Sequence, residues 1–219
     1  MGNILARRLA NGLTRFALRE KSVAPFLLLV ALVLFVAGCH RVEPVDTKPL
    51  DSVGMSYDAI HELQSLQIST AEVASAATAR QSGFSDANCI DVFKTYRGRN
   101  QPFTAGDAVA GLVRVGVSED TVLELAKLNQ LGLGAGELQA IKLAGLSDGV
   151  ILEVARHRSE GKPVLAGASL AALRNAGVRE STLLELARRG VPDSQADDIV
   201  AMRRHGASDA QILNRFTGS

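Results

Sequence analysis

The chain has 219 residues, 24 Lys+Arg against 23 Asp+Glu, 47% hydrophobic and 4% aromatic residues, no Trp, 20 Gly and two Cys. That length accommodates one or two ordinary domains, and the balance of charged and apolar residues excludes both a multi-span membrane protein and a disordered chain. Two cysteines exclude a disulfide scaffold and a Cys-rich zinc site, and a net charge of +1 argues against a dedicated nucleic-acid binder.

The N-terminus carries the first signal. Residues 1–25 hold Arg7, Arg8, Arg15, Arg19 and Lys21 against the single acid Glu20, and an unbroken apolar run follows from Phe26 to Val36. A basic lead, a short apolar segment and small residues after it predict a secretory signal peptide over residues 1–38. The run is shorter than the about 20 residues a bilayer span needs. The segment ends Val36-Ala37-Gly38-Cys39, which resembles the lipobox of bacterial lipoproteins: an apolar residue and two small ones before a cysteine. The resemblance covers the leader and the cysteine only. It implies that the Cys39 thiol takes a diacylglycerol group, that the chain is cut between Gly38 and Cys39, and that acyl chains anchor the product to a membrane, each buried CH₂ contributing ~0.8 kcal/mol. The next residue, His40, is not Asp, which in such proteins implies export to the outer membrane. Met1-Gly2 opens like a myristoylation site, but Ala6 stands where Ser or Thr is required. The leader carries five basic residues and one acid, so the chain after it holds 19 basic and 22 acidic residues.

Residues 39–56 are polar and contain Pro44, Pro49 and Gly54, and read as a tether. Ile60, Leu63 and Leu66 share a helical face, predicting a short first helix over 57–66. From Ser69 onward a glycine followed by an apolar residue, a capping residue and an acid recurs: Gly83-Phe84-Ser85-Asp86, Gly116-Val117-Ser118-Glu119, Gly145-Leu146-Ser147-Asp148, Gly177-Val178-Arg179-Glu180 and Gly206-Ala207-Ser208-Asp209. The glycines stand 33, 29, 32 and 29 residues apart, the signature of a repeat architecture. Each unit reads as a helix ended by a left-handed glycine, a tight turn, and a second helix whose Ser is the N-cap and whose acid faces the positive end of its dipole. A base precedes the glycine by three in four units (Arg80, Lys142, Arg174, Arg203); Val113 breaks the pattern. Apolar residues align four before the glycine and six, seven and ten after it. Alternate units match most closely: Ala105-Gly106 aligns with Ala166-Gly167. No stretch alternates with period two. The expectation is an all-α fold of tandem helical hairpins over residues 57–219, five units of about thirty residues, stacked as a short α-solenoid or a compact helical bundle.

The turn also has some similarity to helix-hairpin-helix modules, whose second glycine exposes backbone N–H groups to phosphate. Here that place holds Ser85, Ser118, Ser147, Arg179 and Ser208, so phosphate binding is not expected. Cys89 occupies the register of Val122, Ile151, Leu183 and Ile212 and reads as a core residue. His40, His61, His157 and His205 have no zinc-site spacing and read as surface residues. Asp197-Asp198 and Glu119-Asp120 sit at helix starts. Lys94–Asn100 is a basic loop, and residues 131–136 are glycine-rich without the strand or Lys-Ser/Thr of a phosphate loop. No nucleophile elbow or triad is present. The sequence therefore predicts no catalytic, metal or cofactor site and no nucleic-acid partner. Its leading reading is a lipid-anchored envelope scaffold that binds protein partners. The alternatives are a cell-wall or polyanion module using the basic loop with Arg188, Arg189, Arg203 and Arg204, and an enzyme whose polar groups gather only in three dimensions.

Overall fold

The computed structural model describes residues 45–132 and 134–216. The expected leader, Gly38 and Cys39 lie outside the described residues. Within them the chain forms twelve α-helices and no strand: α1 (Lys48–Ser52), α2 (Tyr57–Ser65), α3 (Thr70–Gln81), α4 (Asp86–Arg97), α5 (Gly106–Arg114), α6 (Glu119–Lys127), α7 (Ala135–Leu143), α8 (Asp148–Ser159), α9 (Gly167–Asn175), α10 (Glu180–Arg188), α11 (Ala196–Arg204) and α12 (Asp209–Arg215), with a single 3₁₀ turn at Asp193–Gln195 before α11.

Consecutive helices pair into six hairpins. The first was not expected from the sequence, which assigned 39–56 to a tether. Residues 48–56 instead belong to the fold. Pro49 begins α1, where its missing N–H costs nothing, Gly54 turns the chain at φ +75°, and Leu50 and Met55 are buried. A five-residue helix is too short to display a period, so its proline and glycine read as linker residues.

Each turn is built alike. Gly83, Gly116, Gly145, Gly177 and Gly206 take φ of +99°, +86°, +76°, +89° and +86°, the region that penalises any residue with a Cβ. The glycine N–H donates to the carbonyl three residues back and the next N–H to the carbonyl five back, as in Val117 to Leu112 at 3.0 Å and Val178 to Leu173 at 3.1 Å. This is the Schellman ending, which brings the residue after the glycine against the one four before it. Both aligned apolar rows follow from it: Val117 with Leu112, Val178 with Leu173, all buried.

The first helices of the hairpins stack on one another in one row and the second helices in a parallel row, each touching its hairpin partner and its counterpart in the next unit. This is the two-row order of an α-solenoid. The core runs between the rows. The residue nine after each turn glycine is fully buried in units one to five: Leu63, Val92, Leu125, Val154 and Leu186. Aromatic packing is local, with Phe93 and Tyr96 meeting Phe103 edge-on at centroid distances of 4.9 and 5.3 Å. The first-helix row is packed tightest where glycine recurs. A Cβ on Gly106 would overlap the backbone carbonyl of Ser75, and one on Gly167 that of Glu137. The matched Ala-Gly pairs of the sequence are thus two equivalent backbone approaches.

Candidate functional site

The polar residues of the repeat converge along the turn edge. The acid three after each glycine does more than face its own helix dipole: it reaches back to the preceding hairpin. Asp86 accepts the Ser56 N–H at 2.9 Å, Glu119 the Ser85 N–H at 3.1 Å, Asp148 the Ser118 N–H at 2.9 Å and Glu180 the Ser147 N–H at 3.0 Å. In the fifth junction the capping residue is Arg179, whose Nε lies 3.2 Å from Asp209. At the first four junctions the carboxylate therefore satisfies an N-terminal donor that the preceding second helix leaves open. Ser56, Ser85, Ser118 and Ser208 also cap their own helices, but Ser147 makes no such side-chain bond.

The basic row completes the junction. Lys142 Nζ stands 2.6 Å from Asp148, and Arg80 Nε 2.7 Å from Asp86, off the hydrogen-bonding axis. Arg80 and Arg203 donate to the carbonyls of Gly54 and Gly177 in the preceding turn, at 3.3 and 2.7 Å. The Asp148 carboxylate is the most heavily bonded. Burial raises its pKa, but Lys142, the Ser118 hydroxyl and N–H and the Thr121 hydroxyl outweigh that and hold it at about 2. Glu119 follows the same balance, burial opposed by Ser85 and Asn88, with a net lowering.

The two ends depart from the rule. In the first unit the acid position is Tyr57, which is 81% exposed, and the basic position is Asp51. In the last, Gln211 accepts the Ser208 N–H at 2.8 Å in a capping box of its own. Arg215 occupies the register that is buried and apolar elsewhere. It lines an open groove of about 630 Å³ with Asp198, Met202, His205 and Ala207.

No protein-family model, curated protein or solved structure matches this chain.

The residues singled out by sequence divide clearly. Cys89 is 1% exposed, and burial, with Asp86 beside it, pushes its thiol up to about 12; it is a core residue. His61 and His205 are exposed and His40 lies outside the described residues, but His157 is buried, against the surface reading. The Gly190 turn of the next hairpin folds over it, and its Nε2 lies 3.6 Å from Glu153 one turn earlier in α8. The expected basic loop is a loop only at 98–100, since Lys94 to Arg97 form the last turn of α4, and its bases are engaged in structure. Lys94 pairs with Glu62, Arg97 donates to the Leu66 and Gln67 carbonyls, and Arg99 to those of Ala126 and Lys127. Arg189 holds Glu185 and the Leu213 carbonyl, Arg203 the Gly177 turn. Arg188 is exposed 4.0 Å from Glu153, and Arg204 is exposed without a partner among the described residues. Of the glycine-rich 131–136 segment, Gly134 adopts φ +100° as the N-cap of α7.

Sequence reasoning missed Glu72. It is 2% exposed, caps Ser69 in a reciprocal box, accepts the Phe103 N–H at 3.0 Å and pairs with Arg97 at 2.8 Å. Burial raises its pKa and these bonds lower it, with the lowering dominant. The signal was present as Ser69-x-x-Glu72; its two distant partners were not readable. Among the described residues no group of three or more His, Cys, Asp or Glu is placed to hold a metal, and no helix is long and apolar enough to cross a membrane.

Proposed function

We propose that this protein is an exported lipoprotein, anchored through acyl chains on Cys39 to the envelope and sorted to the outer membrane, whose solenoid is a non-catalytic scaffold for a protein partner. One observation carries the scaffold reading. Glu119 and Asp148 at the turn edge are held ionised in bonds that join hairpins, so these acids serve the stacking that gives the fold its extended helix surfaces. Stacked helical hairpins characteristically offer such surfaces to partners.

The test is crosslinking and affinity capture from cells of the lipidated chain beside a Cys39→Ala chain. The expected result is a specific envelope protein captured by the first, and release from membranes or loss of processing in the second. Capture of nothing above background opposes the scaffold. A cleaved and still membrane-bound Cys39→Ala product opposes lipidation. The polyanion reading has one observation in its favour: Arg114, Arg174 and Arg204 are exposed beside the turn edge and have no ion pair among the described residues. Salt-sensitive pelleting with isolated peptidoglycan would favour it.

A further inference from the structure

The outer face of the first-helix row repeats three positions: nine, five and two residues before the turn glycine. Their spacing of four and then three places them on one side of each helix. In α5 they are Asp107, Gly111 and Arg114; in α11, Asp197, Ala201 and Arg204. These two acids and two bases are exposed, and none has an ion pair or hydrogen bond among the described residues. Between them, α7 and α9 carry no charge at these positions. Gly136, Ala140 and Leu143 stand on α7, and Ala168, Ala172 and Asn175 on α9. Leu143 is 73% exposed, one of two large hydrophobic side chains so open among the described residues.

This arrangement is complementary to itself. Turning a second copy by a twofold axis parallel to the stacking direction sets each helix of the row antiparallel to its own counterpart. The position nine before the glycine then faces the position two before it. Asp107 meets Arg114 of the other copy, and Asp197 meets Arg204. Leu143 faces Gly136, where no side chain opposes it, and Ala140 lies next to the axis. A twofold axis along the helices instead would set Asp107 against Asp197, like against like. We propose that this face is an isologous dimer surface whose occupant is a second copy of this chain. Every contact then occurs twice, as symmetry requires. Neighbouring helices are spaced about 9 Å apart, and the nine-residue helices are about 13 Å long. The face across α5 to α11 therefore offers on the order of 500 Å² a side, at the small end for specific association. The dimer is accordingly concentration-dependent, and salt weakens its exposed ion pairs.

Sedimentation equilibrium of the full chain in excess detergent micelles tests this, with circular dichroism verifying that each variant keeps its helices. The expected result is a monomer–dimer equilibrium weakened at least tenfold by Arg114→Asp with Arg204→Asp. Adding Asp107→Arg and Asp197→Arg to that variant reverses every pair and restores it. Ala140→Cys is expected to form a disulfide dimer under mild oxidation, and Asp120→Cys, on α6 in the other row, is not. A monomer at all concentrations, or charge reversal without effect, overturns the proposal. So does crosslinking of position 140 in cells to a different protein instead of to this chain.

Discussion

Replacing Asp148 with Asn tests the junction mechanism most directly. The carboxylate joins the third and fourth hairpins through the Ser118 N–H and hydroxyl, the Thr121 hydroxyl and the Lys142 ammonium. Its pKa is held at about 2 against an ordinary 3.8, which at 1.36 kcal/mol per pKa unit is worth ~2.4 kcal/mol. The side chain is 22% exposed, and solvent screening brings this to about 1–2 kcal/mol. A depressed carboxylate contributes its stability above its unfolded pKa and loses it as pH falls through the folded one. The contribution is therefore complete above about pH 4 and gone near pH 2. For a domain of this size, melting drops by roughly 2–4 °C per kcal/mol. Asp148→Asn is thus expected to melt roughly 2–8 °C below the parent at pH 7, with the gap closing as pH approaches 2. Asp120→Asn, an exposed neighbour without a partner among the described residues, is the control and should melt with the parent. Equal melting of Asp148→Asn and parent at pH 7, or a gap that persists at pH 2, would refute the reasoning.

Three further outcomes follow from local geometry. Gly106→Ala should lose about 1–3 kcal/mol in chemical unfolding, because the new methyl meets the Ser75 backbone and neither helix can give way cheaply. Gly149→Ala, in an open part of α8, should be neutral or slightly stabilising. Gly116→Val should cost about 1–2 kcal/mol, since its φ of +86° suits no β-branched residue; an unchanged melt would mean the turn readily adopts another conformation. In a Cys39→Ala chain, Cys89 should resist a thiol-specific reagent at pH 8 until denaturant is added, and rapid labelling of the folded protein would contradict its burial.

The sequence displayed what lies within one hairpin. The glycine, the apolar residue after it and the one four before it are a local hydrogen-bonded ending, so their spacing was visible in the chain itself. The row of acids was equally visible, but its meaning was not. Each acid lies beside its own helix start in sequence, and only stacking brings it to a cap some thirty residues earlier. The same holds for Glu72, which meets Phe103, and for His157, covered by the turn at Gly190. The first hairpin escaped notice for the opposite reason. Its five-residue α1 is too short to show periodicity, and Tyr57 stands where the other units carry the acid that marks them.

The direction of the junctions bears on how the chain acquires its structure. A hairpin closes through contacts near in sequence, which favours rapid formation. Its second helix, however, keeps an open N-terminal donor until the next unit brings a carboxylate. As residues emerge from the N-terminal side, the growing end thus presents one unfinished helix start through the first four junctions, where each arriving unit completes its predecessor while leaving its own cap incomplete. In the sixth unit Gln211 closes Ser208 from within the same helix. Truncation after the first, second, third or fourth hairpin would leave the Ser56, Ser85, Ser118 or Ser147 N–H without its carboxylate.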